Sequence, residues 1–282
     1  MPIVGCVGRL LTFVRCQQPI PLLILSSFWA ALAAGPGDNE DSVAILQRIR
    51  VKVAAHLQQL PNYTCHEVIH RMLWPAGGAN NVRQEQVEVE VAFLGRQELF
   101  AKPGEGTFTE KSIAKLVPPG TISSGAFGAH ATNLFLGDAA SFHYAGTCKK
   151  DGHKAYKYDF EVPEDKSVFW VQHDREEGIV GYEGSIWADF DTFDLVRIEI
   201  KANHITPRLQ VRSVAEKMRY SIIKMKDSEF LLPYRAELEV SDSSGNFSTN
   251  AVELQQCKEY RGDSVITFAE PHDTDRPDPL KH

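Results

Sequence analysis

Segment after segment of this chain alternates apolar and polar residues. The clearest is 85–93, where Val87, Val89, Val91 and Phe93 share one face while Glu88 and Glu90 take the other. A period of two marks a strand with one buried and one wet face. Similar segments lie at 66–74, 83–94, 97–102, 153–162, 167–173, 179–190, 195–201, 213–225, 230–240 and 247–260, with a last short one at 265–268. When nearly every strand is built this way, the expected product is mainly β (α+β). It is a strongly curved antiparallel sheet, or half-open β-barrel, around one apolar interior.

Two regions break the period. From Asp41 or Ser42 to Leu60, the stripe Ile45, Ile49, Val53, Leu57 and Leu60 predicts an amphipathic helix stopped by Pro61, and this helix is expected to pack across the sheet. Residues 109–117 and 124–136 predict two short helices, separated by Pro118-Pro119-Gly120 and stopped by Gly137. Together, 109–136 forms an expected helical lid over the open side of the sheet.

The N-terminus reads as a secretory signal over 1–33. Arg9 and Arg15 are followed by an apolar stretch at 19–34, small residues at Ala31-Leu32-Ala33, and the breaker Gly35-Pro36-Gly37. The stretch falls short of the roughly 20 residues a spanning helix needs. The expected product is therefore periplasmic or secreted, not an integral membrane protein after cleavage. Residues 34–268 read as a single β domain, and the Pro- and Asp-rich 269–282 as a disordered tail. A net charge of −7 argues against a nucleic-acid surface, which needs clustered Lys and Arg.

Of five cysteines, Cys6 and Cys16 go with the signal. Cys65 starts the first strand and Cys257 sits near the end of the last long one, so a closing disulfide between them is expected in an oxidising compartment. Cys148, in the 146–152 turn, is left as the free thiol.

His66-Glu67-Val68-Ile69-His70 spells the zinc-peptidase motif, which makes a secreted zinc metallopeptidase the alternative function. That chemistry needs a helix, because residues i and i+4 then share a face and can grip one ion. Here Tyr63, Thr64, Val68 and Ile69 favour a strand, in which four residues span about 13 Å. No metal ligand set, cofactor or catalytic residue is assigned. Asp189, Asp191 and Asp194 cluster around a turn and could hold calcium, but a solvated turn is the commoner outcome. Arg261-Gly262-Asp263 is read as a bend between strands.

The aromatic residues carry the remaining signal. Phe93, Tyr156, Tyr158, Phe160, Tyr220 and Tyr234 fall on the inferred apolar side, with Phe127, Leu134 and Phe135 on the inserted helices. They line either a packed core or a cavity with room for an acyl chain.

Gly184-Ser185-Ile186-Trp187-Ala188-Asp189 followed by Leu195-Val196-Arg197-Ile198-Glu199 resembles the lipoprotein-carrier superfamily, LolA- and LolB-like. There, a strand of that pattern turns into a second one. The wider chain is also similar to uncharacterised secreted proteins of acidobacterial type, on 61–65, 98–100, 116–120, 144–146 and 229–233. The carrier resemblance implies a half-open barrel lined with apolar residues and closed by helices. The function it implies is a non-enzymatic carrier for a lipid, an acyl chain or a lipidated partner. An envelope scaffold without a pocket is the bland alternative.

Overall fold

A computed structural model describes residues 36–77, 81–94, 97–108, 112–122, 128–173 and 175–260. The signal segment, Phe127, the Arg-Gly-Asp triplet, the 265–268 strand and the acidic tail lie outside the described residues.

The chain opens with α1 (Pro36–Gln59). Proline is at home at its start because the first helical N–H groups have no partner in any case. Ile49 and Val53 of the predicted stripe are buried, while Ile45, Leu57 and Leu60 pack at the margin of the same core. Three strands follow: β1 (Tyr63–Trp74), β2 (Arg83–Leu94) and β3 (Gln97–Ala101). The connecting segment carries a 3₁₀ turn at Ile113–Lys115 and the helix α2 (Ala129–Phe135).

Five strands come next: β4 (Ser141–Lys150), β5 (His153–Val162), β6 (Trp170–His173), β7 (Glu176–Ile179) and β8 (Gly181–Asp189). The last four are β9 (Leu195–Asn203), β10 (Val211–Met225), β11 (Ser228–Asp242) and β12 (Phe247–Glu259).

Ten strands form one antiparallel sheet in the order β3-β2-β1-β12-β11-β10-β9-β8-β5-β4, and β6-β7 is a separate small hairpin. The two ends, β3 and β4, do not pair, so the sheet is open rather than a closed barrel. Laid flat, ten strands would span about 43 Å. Yet Phe100 of β3 and Phe142 of β4 belong to one apolar cluster, together with α1 and α2. The sheet therefore curls around a shared interior.

Three differences from the sequence reading have physical causes. Strand β4 is absent from the predicted strands, and its second half overlaps the predicted 146–152 turn. It is an edge strand with mostly exposed side chains, broken by a bulge between Tyr144 and Thr147 where Gly146 takes φ +95°, so no alternation betrays it. The expected helix at 109–117 is, in its described part, a single 3₁₀ turn. The residue before a proline is pushed out of the helical region, and two prolines follow Val117. Finally, the alternation of 195–201, with Val196, Ile198 and Ile200 on one face, puts Arg197 on the wet face, yet it is only 7% exposed. It lies against the outer face of the sheet, its Nη1 3.0 Å from Asp151 and its Nε 2.7 Å from Glu199. Beside it Lys150 Nζ stands 4.1 Å above the Trp187 ring.

Candidate functional site

Strand register places the inner face of the sheet in rows. One row runs Val87, Ile69, Val252, Ala236, Met218, Ile198, Ile186, Tyr158, Tyr144, and it is apolar or aromatic throughout. The neighbouring row runs Glu85, Arg71, Asn250, Leu238, Glu216, Ile200, Gly184, Phe160, Phe142. This second row contains charged and amide groups that a one-faced sheet would not be expected to bury.

Each of those groups answers to the segment that crosses above it. Arg71 donates two hydrogen bonds of 3.0 Å to the Pro118 carbonyl and pairs with Glu85. Asn250 Nδ2 donates to the Thr121 carbonyl at 2.8 Å, and the Thr121 and Ser248 hydroxyls lie 2.7 Å apart. His130 Nε2, on α2, sits 3.2 Å from Glu216 Oε2, with both residues buried. At the far end the Tyr182 hydroxyl donates to Asn133 Oδ1 at 2.7 Å, and Asn133 in turn donates to the Lys166 carbonyl.

A helix of seven residues is far too short to hold itself together in water. Its place is set by these ties and by the apolar side chains Ala131, Leu134 and Phe135, which it sinks into the core beside Ile113 and Val117. The His130 ring is also boxed edge-on by Phe169 and Tyr182.

The other sequence-selected residues fall as follows. Tyr158 is buried, and its hydroxyl donates to the Ser42 carbonyl at 2.6 Å, tying α1 to the sheet. Phe160 is buried between Phe142 and Tyr182. Tyr156 is half-buried and stacks on Phe190 and Phe193. Phe93 stacks on Tyr63 at 4.4 Å between centroids. Tyr220 is buried with its hydroxyl unpartnered.

Tyr234 is different: it is 37% exposed. Arg219 pairs with Arg235 and Tyr220 with Pro233, so Tyr234 is the extra residue of a bulge and leaves the interior face.

Cys65 and Cys257 form a disulfide where the β1–β12 register slips between Thr64 and His66. Cys148 was expected to be free, but its sulfur is engaged, so that expectation is corrected.

The zinc motif lies on β1, not on a helix. His66 lies outward against Glu88 and Glu90, and His70 is on the same exposed side. Glu67 points the opposite way, into the interior. The two imidazoles and the glutamate therefore cannot converge on one ion. The Asp189 carboxylate accepts the backbone N–H groups of Asp191 and Thr192 at 2.9 Å and lies 2.8 Å from His153 Nδ1. Burial pushes its carboxyl up, but the backbone N–H of Thr192, the His153 ring and the backbone N–H of Asp191 outweigh this and hold it below the ordinary carboxylate range. Asp194 turns instead to His56 of α1 at 2.8 Å.

One buried ionisable group was not singled out as a ligand contact. Glu67 is 3% exposed, and burial, helped by the nearby Glu98 carboxylate, pushes its carboxyl up to about 8. Burial likewise raises the hydroxyls of Tyr63 and Tyr220. The sequence did carry a signal here: a glutamate at an inward position of the strand, two residues after Cys65.

No protein-family model matches the chain, and no curated protein matches it either. Among solved structures it is similar to a LolA superfamily protein from Nitrosomonas europaea, at 12% identity and TM-score 0.38, covering 76% of this chain and 93% of that one. It is also similar to a DUF1329 family protein from Desulfovibrio piger, at 10% identity and TM-score 0.41, covering 77% and 94%. A third is the lipoprotein LppX of Mycobacterium tuberculosis, at 11% identity and TM-score 0.27, covering 78% and 98%. The resemblance read from 184–199 and the first of these name the same superfamily. At such scores the likeness carries no functional argument, which rests on the side chains above. Among the described residues no helix is long and apolar enough to cross a membrane.

Proposed function

We propose that this chain is an exported, non-enzymatic binding protein whose covered interior takes a lipid, an acyl chain or the lipid part of a lipidated partner. One observation carries the proposal. The apolar inner face of an open sheet is closed by a segment held through discrete polar ties, Arg71–Pro118, Asn250–Thr121 and His130–Glu216. To open, this cover releases these ties and the burial of Ile113, Val117, Ala131, Leu134 and Phe135, whereas a second packed sheet would have to separate along its whole area. The inner row from Ile69 to Tyr158 then offers an acyl chain a continuous apolar wall. At about 25 cal/mol per Å² of apolar surface removed from water, each buried methylene contributes roughly 0.8 kcal/mol.

The test is purification of the exported protein without detergent, followed by organic extraction and mass spectrometry. Close to one amphiphile per chain is expected. Protein free of amphiphile that also fails to bind an added dodecyl compound would overturn the proposal in favour of an envelope scaffold.

A further inference from the structure

Most long strands of this protein alternate apolar and polar residues; the small β6–β7 hairpin does not. Val168, Phe169, Trp170 and Val171 are apolar in succession, and Ile179 and Val180 answer them on the returning side. A strand that is apolar on both faces is normally covered on both. Here only one face is covered. Phe169, Val171 and Val180 are buried in the main core, and Leu209 lies beneath Gly178. On the opposite face Trp170 and Ile179 are direct cross-strand partners, 51% and 48% exposed, and Val168 just before them is 46% exposed.

We infer that this uncovered face is a membrane-docking surface, which sets Val168, Trp170 and Ile179 into the head-group region of a bilayer. Two observations choose that occupant. The first is area. Three side chains, each about half exposed, present on the order of 300 Å² of apolar surface, well below the roughly 800 Å² per partner that a stable protein interface takes. A bilayer sets no such minimum, and tryptophan suits its boundary because an apolar ring carries one N–H donor for the wet side. The patch also offers a lone acyl chain no enclosure, so an assembled lipid surface engages it and a single amphiphile does not. The second observation is charge. Glu164, Asp165, Glu176 and Glu177 surround the hairpin together with Lys166, Arg175 and Arg208, and Arg208 is paired with Glu176 at 2.8 Å. Such a mixture exerts no polybasic pull on anionic lipid. The matching surface is therefore zwitterionic, and apolar contact holds it.

The inner side of the same hairpin touches the cover. The Phe169 ring stands edge-on to His130 of α2 at 5.0 Å between centroids, and Asn133 of α2 donates to the Lys166 carbonyl at 3.1 Å. Docking through the outer side leaves α2 directly behind the hairpin, where an amphiphile leaving the bilayer would meet it. The inference goes beyond the proposed binding function and stands without it, since a protein with a solid core could dock in the same way.

The experiment is co-sedimentation of the exported protein with phosphatidylcholine vesicles, paired with tryptophan quenching by phosphatidylcholine brominated on its acyl chains. The unaltered protein is expected to partition onto the vesicles, and molar sodium chloride should change this by less than about twofold. Trp170→Ser/Ile179→Ser should lower the partition coefficient at least about tenfold. Val43→Ser/Val51→Ser, which removes exposed apolar groups from α1, should leave it within about twofold. Trp170→Phe keeps an aromatic ring on the surface and guards against a folding defect in the double variant. The emission it removes should be the part that brominated lipid quenches, while the buried Trp187 stays unquenched. Partitioning untouched by the double variant, or Trp170 emission that brominated lipid leaves unchanged, refutes the docking surface. Binding seen only on anionic vesicles and lost in salt refutes it too. A dimer in solution that Trp170→Ser/Ile179→Ser dissolves also overturns it, by making a second copy the occupant. Amphiphile extracted from the interior is read separately, so failure of the docking surface and failure of the binding interior are told apart.

Discussion

Replacing Glu67 by Gln keeps the shape of the side chain and deletes its ionisation, so the change reads out one buried proton. In the folded protein the carboxyl holds that proton up to about pH 8, against 4.5 for the exposed group. Between those limits the native state binds more protons than the unfolded chain, so stability is greatest below pH 4.5 and falls as pH rises toward 8. At about 1.4 kcal/mol per pH unit, the displacement corresponds to a loss on the order of 5 kcal/mol, of which about 4 kcal/mol falls between pH 5 and pH 8. The residue is almost fully buried, so solvent screening takes little away. Urea unfolding followed by circular dichroism from pH 5 to pH 9 measures the effect. The wild type should weaken steeply across the range, and Glu67→Gln should be much flatter and the more stable of the two at pH 9. The depressed carboxylates Asp189, Glu199 and Asp242 act in the opposite sense, losing stability as pH falls, and are common to both proteins. Parallel curves would refute the placement of an uncompensated carboxyl in the interior.

Three further changes test other parts of the structure. A Cβ on Gly184 would stand 1.9 Å from the Glu199 carbonyl oxygen, so Gly184→Ala should cost about 3 kcal/mol or more, whereas Gly178→Ala, which meets only Leu209 methyls at 3.8 Å, should be near neutral in the same melts. Opening the Cys65–Cys257 bridge, which spans a separation of 192 residues, should lower stability by up to about 5 kcal/mol in the chain-entropy account, seen by comparing the Cys65→Ser/Cys257→Ser variant with the parent. Arg71→Ala leaves the Pro118 carbonyl and Glu85 without their partner; it should cost about 2–4 kcal/mol and speed amide exchange in 112–122, with the β9–β10 core protected as before.

How much of this was legible in the sequence depends on how local each feature is. Strand β2 coincides with the predicted 83–94, because its valines and glutamates alternate without interruption. The α1 stripe was equally readable, since 3.6-residue spacing is a local property. Bulges are not: a single extra residue between Pro233 and Arg235 turns Tyr234 off the inner face, and nothing in its neighbours announces it. The ties of the cover were invisible for another reason. Arg71 meets Pro118 across 47 residues and Asn250 meets Thr121 across 129, so each looked like an ordinary polar residue in a half-wet strand. The zinc motif misleads by the reverse route, because its letters are local while its chemistry depends on a helix that this segment does not form.

The most direct test of the central claim is methyl NMR of the protein during titration with a dodecyl-chain amphiphile. Ile69, Ile186, Ile198 and Met218 line the inner row, while Ile179 and Ile222 are exposed on the surface. Saturable shifts confined to the first four, with Ile179 and Ile222 unmoved, are the predicted result. Shifts limited to the surface pair, or an interior that stays unperturbed at saturating ligand, would contradict it.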